Sequence, residues 1–226
     1  MVTAAAVGTL ALLHTSPVHV PVFDGLRDRH HPGLVLRHLV DEELLVRARE
    51  AGPDAVAGAV AAALATAVAD GADAVLCTCS TIGGVAERRS GPLGVPVLRV
   101  DRPMAAEAAR FRRIVVVAAL RSTLEPTVAL IAEESGPEPS VVSTAVVEGA
   151  WERFEAGDRD GYLDAVAAAV DAAPHADGSV VVLAQASMAG AVERMTTRRP
   201  VLASPRPGLA AAARAVAAAR AATAGA

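Results

Sequence analysis

The sequence contains no lysine and no asparagine, and Gln185 is its only glutamine. Without lysine, pyridoxal phosphate has no amine with which to form an internal aldimine, so any chemistry at an amino acid's α-carbon must proceed without that electron sink. Aromatic residues make up 2% of the chain, and its two cysteines are Cys77 and Cys79. The core must therefore be built from Val, Leu and Ala, and no disulfide framework of the secreted kind can be drawn. No block of like charge stands behind the net charge of −4, and no basic stripe carries interleaved aromatics, so nucleic acid is not an expected partner. The stretch Val2 to Leu13 is apolar but too short to span a bilayer. It has no positively charged segment before it and ends in His14-Thr15-Ser16-Pro17 rather than a small-residue cleavage pattern. It reads as the first buried strand, and a cytoplasmic protein without a membrane partner is expected. No histidine lies at a close matching spacing to the Cys-x-Cys pair, so no metal is expected either.

What is present is a duplication. Shifting the sequence by 106 positions lays Ala74–Cys77 on Val180–Leu183, Gly84 on Gly190, Glu87 on Glu193 and Arg88 on Arg194. After a two-residue deletion, Pro96-Val97-Leu98 falls on Pro200-Val201-Leu202, and Arg102-Pro103 on Arg206-Pro207. Cys79 then lies over Gln185. An earlier pair, Leu13-His14-Thr15-Ser16 and Leu120-Arg121-Ser122-Thr123, ends an apolar run in each half at nearly the same offset. With 226 residues, 53% of them hydrophobic, the chain can bury a sizeable core, and the duplication favours two lobes over one. The expected fold is α/β, with two pseudo-symmetric Rossmann-like lobes containing parallel sheets. Residues 1–104 form the first lobe, 105–206 the second, and a helix over 207–226 packs back on the first.

Along the chain, Val20–His31 is less regular, Val35–Val40 reads as a strand, and Asp41 to Leu45 opens a helix with acids in its first turn, where the dipole favours them. Pro53–Asp70 is an Ala-rich crossover helix leading to the strand Ala74–Cys77. Gly94–Val100, Arg113–Leu120, Val141–Val147 and Ser179–Ala184 are further strands. Met104–Arg110, Thr123–Glu134, Asp160–Ala173 and Ser187–Arg194 are helices. His30, His31 and His38 read as loop or edge residues, since nothing in the sequence places them by a thiol.

In an open parallel sheet, ligands bind beyond the carboxyl ends of the strands. Four such ends carry hydroxyls: Thr15-Ser16, Ser80-Thr81, Ser122-Thr123 and Ser187. If the lobes face one another, these sets meet in one cleft with Cys79 on one wall and Gln185 on the other, a setting suited to a small carboxylate. Ser and Thr at strand-to-helix turns also serve as N-caps, and the two uses can coexist. Cys77, two residues before Cys79, faces the same side from within the strand and reads as packing.

Three segments, Cys79-Ser80-Thr81, Ser122-Thr123-Leu124 with Pro126-Thr127, and Leu183-Ala184-Gln185-Ala186-Ser187-Met188, resemble the aspartate/glutamate/hydantoin racemase superfamily. The resemblance covers nearly the whole chain and implies two similar lobes, a site between them, no cofactor, and two cysteines acting from opposite faces of the substrate. Cys79 matches the first cysteine; Gln185 stands where the second would be and cannot carry a proton to or from carbon. The resemblance points to Cys79 and Gln185 as the catalytic positions, and the strand-end reading together with it makes His14, Thr15, Ser16, Ser80, Thr81, Ser122, Thr123, Ala186 and Ser187 the expected substrate-binding residues. His14 is the candidate for a second base. Single-cysteine relatives include an arylmalonate-type decarboxylase, whose thiol belongs to the other lobe. The expectations are thus an isomerase-like enzyme at the α-carbon of a small carboxylate, a one-cysteine decarboxylase, or a carboxylate-binding protein without catalysis. A homodimer is left open.

Overall fold

The computed structural model describes residues 8–137, 140–173 and 178–225. Val2 to Val7 of the expected first strand lie outside them. The described residues divide into two compact units, one formed by those up to Val100 together with those from Arg206 onward, and the other by those from Asp101 to Pro205.

In the first unit the chain runs through β1 (Thr9–His14), α1 (Val20–His30), β2 (Val35–Val40), α2 (Glu43–Ala51), α3 (Ala57–Ala69), β3 (Ala74–Cys77), α4 (Ser80–Glu87), α5 (Ser90–Leu93) and β4 (Val97–Arg99). The four strands are all parallel in the order β2-β1-β3-β4. Central strands of such a sheet are covered on both faces and need continuous apolar runs. Every residue of β3 is buried, with Val75 and Cys77 facing one helical layer and Ala74 and Leu76 the other. The first layer is built on Val56, Val60 and Leu64; the second is built on Phe23 of α1 and on Leu209, Ala212 and Val216.

The second unit repeats the plan with α6 (Arg102–Ala108), β5 (Arg113–Ala118), α7 (Leu124–Glu134), β6 (Val141–Val146), α8 (Ala150–Glu155), α9 (Arg159–Ala172), β7 (Ser179–Leu183) and β8 (Val201–Ala203). Its sheet is parallel in the order β6-β5-β7-β8. The final helix, α10 (Pro205–Ala224), returns to the first unit.

Two readings of the sequence require correction. Val20–His30 is a helix, started by Pro21 in its first turn and buried through Phe23; proline is pre-organised for that position and marks a helix start rather than irregularity. The early duplication also aligns differently. Leu13 pairs with Cys77 and Val117 with Leu183, so Leu13 corresponds to Val117 rather than Leu120, and Thr15-Ser16 corresponds to Ala119-Leu120. The short 3-10 turns Pro17–His19 and Arg121–Thr123 follow the same offset of 104, which becomes 106 by β2 and β6.

Candidate functional site

In the first unit, β3 gives way to Thr78 and then to Cys79, whose extended backbone (φ −103°, ψ 117°) makes it the N-cap of α4. Alternation along the strand sends Cys77 and Cys79 to one layer and Thr78 to the other. Cys79 packs with Cys77, Ile82 and Val85 and keeps 9% of its surface exposed. Cys77 is fully buried, with its Sγ 3.7 Å from the Cys79 carbonyl oxygen. The thiol of Cys79 thus sits where the first turn of a helix leaves N–H groups without intrahelical partners, an environment that favours an anion. Ser80 and Thr81 are buried in that turn, and the Thr81 Oγ1 is a buried atom without a hydrogen-bond partner. Continuing the β1–β3 register places Thr15 beside Cys79. Thr15 and Ser16 are buried, and Ser16 caps the turn Pro17–His19 without a side-chain hydrogen bond.

His14 lies elsewhere. Its Nδ1 is 2.8 Å from the Thr78 Oγ1 and its Nε2 2.8 Å from the Nδ1 of His38, on the layer opposite Cys79. His38, on the edge strand β2, in turn brings its Nε2 within 3.3 Å of an Asp24 carboxylate oxygen. The His14 ring has no solvent exposure and is flanked by Phe23, His19 and His38. Burial first, and then the neighbouring His19 and His38, push its pKa down to about 3. A neutral imidazole has one donor and one acceptor nitrogen. Because the Thr78 hydroxyl donates to the Leu13 carbonyl, its oxygen accepts from His14 Nδ1–H, which leaves His14 Nε2 to accept from His38 Nδ1–H. His14 is thereby committed to holding Thr78, and the structure does not bring it to the thiol.

In the second unit, Gln185 occupies the position of Cys79, also extended (φ −122°, ψ 140°), at the end of β7. Its Oε1 accepts hydrogen bonds from the main-chain N–H groups of Ala119 (2.7 Å) and Leu120 (3.1 Å) at the tip of β5. Those two bonds fix which end of the carboxamide is oxygen, and the Nε2 is left to donate elsewhere. Ala186 is buried, and Ser187, the counterpart of Thr81, lies 2.8 Å from the Tyr162 hydroxyl. Burial raises the Tyr162 phenol well above its ordinary value, and the bond to Ser187 opposes that rise. The Thr123 hydroxyl donates back to the Leu120 carbonyl at 2.6 Å, and Thr123 stands at the N-cap of α7 without a side-chain capping bond. The Ser122 Oγ is buried with no partner among the described residues.

Besides the His14–His38 pair, sequence reasoning passed over Arg99. This buried residue at the end of β4 lies against α4, where a Cβ on Gly83 would come within 3.1 Å of its Cβ and 3.2 Å of its Nε. A charged residue closing an otherwise apolar strand, opposite a Gly-Gly pair, was the available signal. Among the described residues, no group of three or more His, Cys, Asp or Glu could hold a metal ion, and no helix is long and apolar enough to cross a membrane.

A family model described as Asp/Glu/hydantoin racemase matches residues 16–221. Comparison with curated protein sequences gives no significant match. Among solved structures, the glutamate racemase of Francisella tularensis, in complex with D-glutamate, superposes with a TM-score of 0.69 at 11% identity, covering 89% of this chain and 78% of that one. The Thermus thermophilus glutamate racemase, in complex with β-chloro-D-alanine, gives 0.63 at 19%, covering 94% and 81%. Arylmalonate decarboxylase gives 0.58 at 20%, covering 92% of each chain.

Proposed function

Since the chain belongs to the Asp/Glu/hydantoin racemase family, we propose that it is a cofactor-independent enzyme acting at the α-carbon of a small carboxylate, of the aspartate, glutamate, hydantoin or malonate type, with Cys79 as the group that moves the proton. The observation that carries this reading is the placement of Cys79 as N-cap of α4, beside a buried Thr81 hydroxyl that has no partner of its own. The α-hydrogen of a carboxylate is too weakly acidic for a thiolate to remove unaided, so the developing enediolate must be held by oriented donors. The first-turn N–H groups of α4 and the Thr81 hydroxyl supply them, and Cys79 serves as acid or base from one face.

Gln185 is the reason to keep a second reaction in view. A carboxamide cannot exchange a proton with carbon, so proton transfer by Cys79 alone is one-sided. A decarboxylation fits that asymmetry: carbon dioxide leaves with its bonding electrons retained in the enediolate, and one thiol protonates the α-carbon to give a single enantiomer. Arylmalonate decarboxylase has the same fold.

The test is deuterium uptake at the α-carbon from heavy water over amino acids, hydantoins and malonates, with product stereochemistry and carbon dioxide followed together. Exchange without carbon dioxide supports the racemase-like reaction, and one deuterium per carbon dioxide supports the decarboxylase. Cys79→Ala and Cys79→Ser should abolish either while leaving circular dichroism unchanged. Carboxylate-dependent thermal stabilisation with no exchange, no product and ordinary thiol alkylation at Cys79 would instead identify a binding protein and end the enzymatic reading.

A further inference from the structure

The two units present one polar motif in two states. At the tip of β5, the consecutive N–H groups of Ala119 and Leu120 converge on a single oxygen, that of the Gln185 carboxamide. At the tip of β1, the same two positions are Thr15 and Ser16, and no hydrogen bond to either N–H occurs among the described residues. The local backbones agree: Ser16 and Leu120 are both extended (φ −160°, ψ 138° and φ −124°, ψ 122°) and each leads into a 3-10 turn. The difference lies across the sheet, where Cys79 replaces Gln185. The thiol ends one bond beyond Cβ, so it does not extend to the Thr15 and Ser16 N–H groups as the carboxamide extends to those of Ala119 and Leu120 in the second unit.

A second difference points the same way. The Ser187 hydroxyl in the second unit is bonded to Tyr162. Its counterpart Thr81 has no partner, because Val56, at the position of Tyr162 under the offset of 106, has no hydroxyl to offer. Both polar positions flanking Gln185 are satisfied from within the chain, and both flanking Cys79 are not. Buried donors without partners are costly enough that such a concentration marks a place for a ligand.

A carboxamide and a carboxylate are close to isosteric, and both present an sp² oxygen to an N–H pair. We infer that the Gln185 side chain is an internal image of the ligand: the Thr15 and Ser16 N–H groups take one oxygen of a carboxylate placed beside Cys79, and Gln185 closes the matching cradle of the second unit to anions. This rests on the reading of the ligand as a small carboxylate and adds its main-chain contact and the reason that only one cradle is open.

Malonate serves as the probe, with amide ¹H–¹⁵N spectra as the readout, so the result does not depend on turnover. In the unaltered protein, malonate should move the Thr15 and Ser16 amides and leave those of Ala119 and Leu120 in place. Cys79→Gln should close the first cradle, weakening malonate at Thr15 and Ser16 by at least about tenfold, whereas Cys79→Ala should leave it open. Gln185→Ala should make the Ala119 and Leu120 amides newly responsive. The inference is overturned if Thr15 and Ser16 fail to respond up to roughly tens of millimolar malonate, where a millimolar site would be more than nine-tenths occupied. It is equally overturned if Ala119 and Leu120 respond while Gln185 is in place, or if Gln185→Ala leaves them silent. Should Cys79→Gln not fold, the Gln185→Ala arm still decides. Amide shifts without any exchange at carbon would retire the proposed catalysis and leave this contact standing.

Discussion

Titration of the folded state offers a direct check on the buried imidazole of His14. Its pKa falls from an ordinary 6.5 to about 3 in the native protein, so the native state keeps it neutral while the unfolded chain takes up a proton below pH 6.5. The unfolded state then binds more protons, and stability falls with falling pH across the window from 6.5 to about 3. Between pH 8 and pH 4.5 the expected loss from His14 alone is about 2.7 kcal/mol, since each pH unit below 6.5 is worth about 1.4 kcal/mol; the figure is nearly the same for any native value below 4. The assay is urea unfolding followed by circular dichroism at half-unit steps over that range. His14→Gln retains a donor and an acceptor for Thr78 and His38 but does not titrate. The variant should start less stable and show a correspondingly flatter profile. Stopping at pH 4.5 limits the contribution of Asp158 and Asp171, whose carboxyls are held below their ordinary range, chiefly by the backbone N–H groups of Gly161 and Thr196 respectively. Their stabilisation is lost at lower pH. Parallel profiles for the two proteins would refute the neutral, committed role of His14.

Glycine substitutions separate tight packing from open space. In Gly208→Ala the new Cβ would lie 2.5 Å from the Val100 carbonyl oxygen and 2.6 Å from its Cγ2, so a loss of about 2 kcal/mol or more is expected in chemical denaturation. Gly58→Ala, in α3 with nothing within 4 Å of the added carbon, should gain about 0.5–1 kcal/mol. Tyr162→Phe removes the partner of Ser187 and should cost about 1 kcal/mol in the same assay; no change would mean that the hydroxyl bond is not formed. Gln185→Cys should add racemisation, read by polarimetry or chiral chromatography on whatever substrate exchanges in heavy water. Racemisation by the unaltered protein at an enzymatic rate would show that another residue acts as the second base.

The α/β pattern could be read because the buried strands are continuous apolar runs and the repeat carries its own register: Val75 and Val181, and Cys79 and Gln185, fall together under the offset of 106. Two-residue length differences before β2 and before β4 spoil that register locally. One of them misaligned Leu13 with Leu120 and hid the correspondence of Thr15-Ser16 to Ala119-Leu120. The helix Val20–His30 was missed because its apolar face is short, with Phe23 alone deeply buried, and tertiary packing supplies what periodicity lacks. The pairing of His14 with His38 was not readable, since strand neighbours in a parallel sheet are set by crossovers and not by sequence distance. Nor does a lone glutamine reveal that its oxygen is already spent on two N–H groups. That requires the tip of β5 to be brought beside β7.

The last helix has a consequence for how the chain is made. Arg206-Pro207, at the start of α10, corresponds in the repeat to Arg102-Pro103 at the start of α6, yet α6 packs through Met104, Ala105 and Ala108 onto the sheet of the second unit, while α10 packs through Leu209, Ala212 and Val216 onto that of the first. Each repeat thus surrenders its trailing helix to the other's sheet. During vectorial synthesis the first sheet has all four strands once Arg99 has emerged, but one of its faces stays partly uncovered until the ribosome has released Val216. The first sheet, made before the second, is thus closed after it, and for that interval its exposed Leu10, Leu12 and Leu76 are the surface on which nascent chains would aggregate or chaperones would hold them.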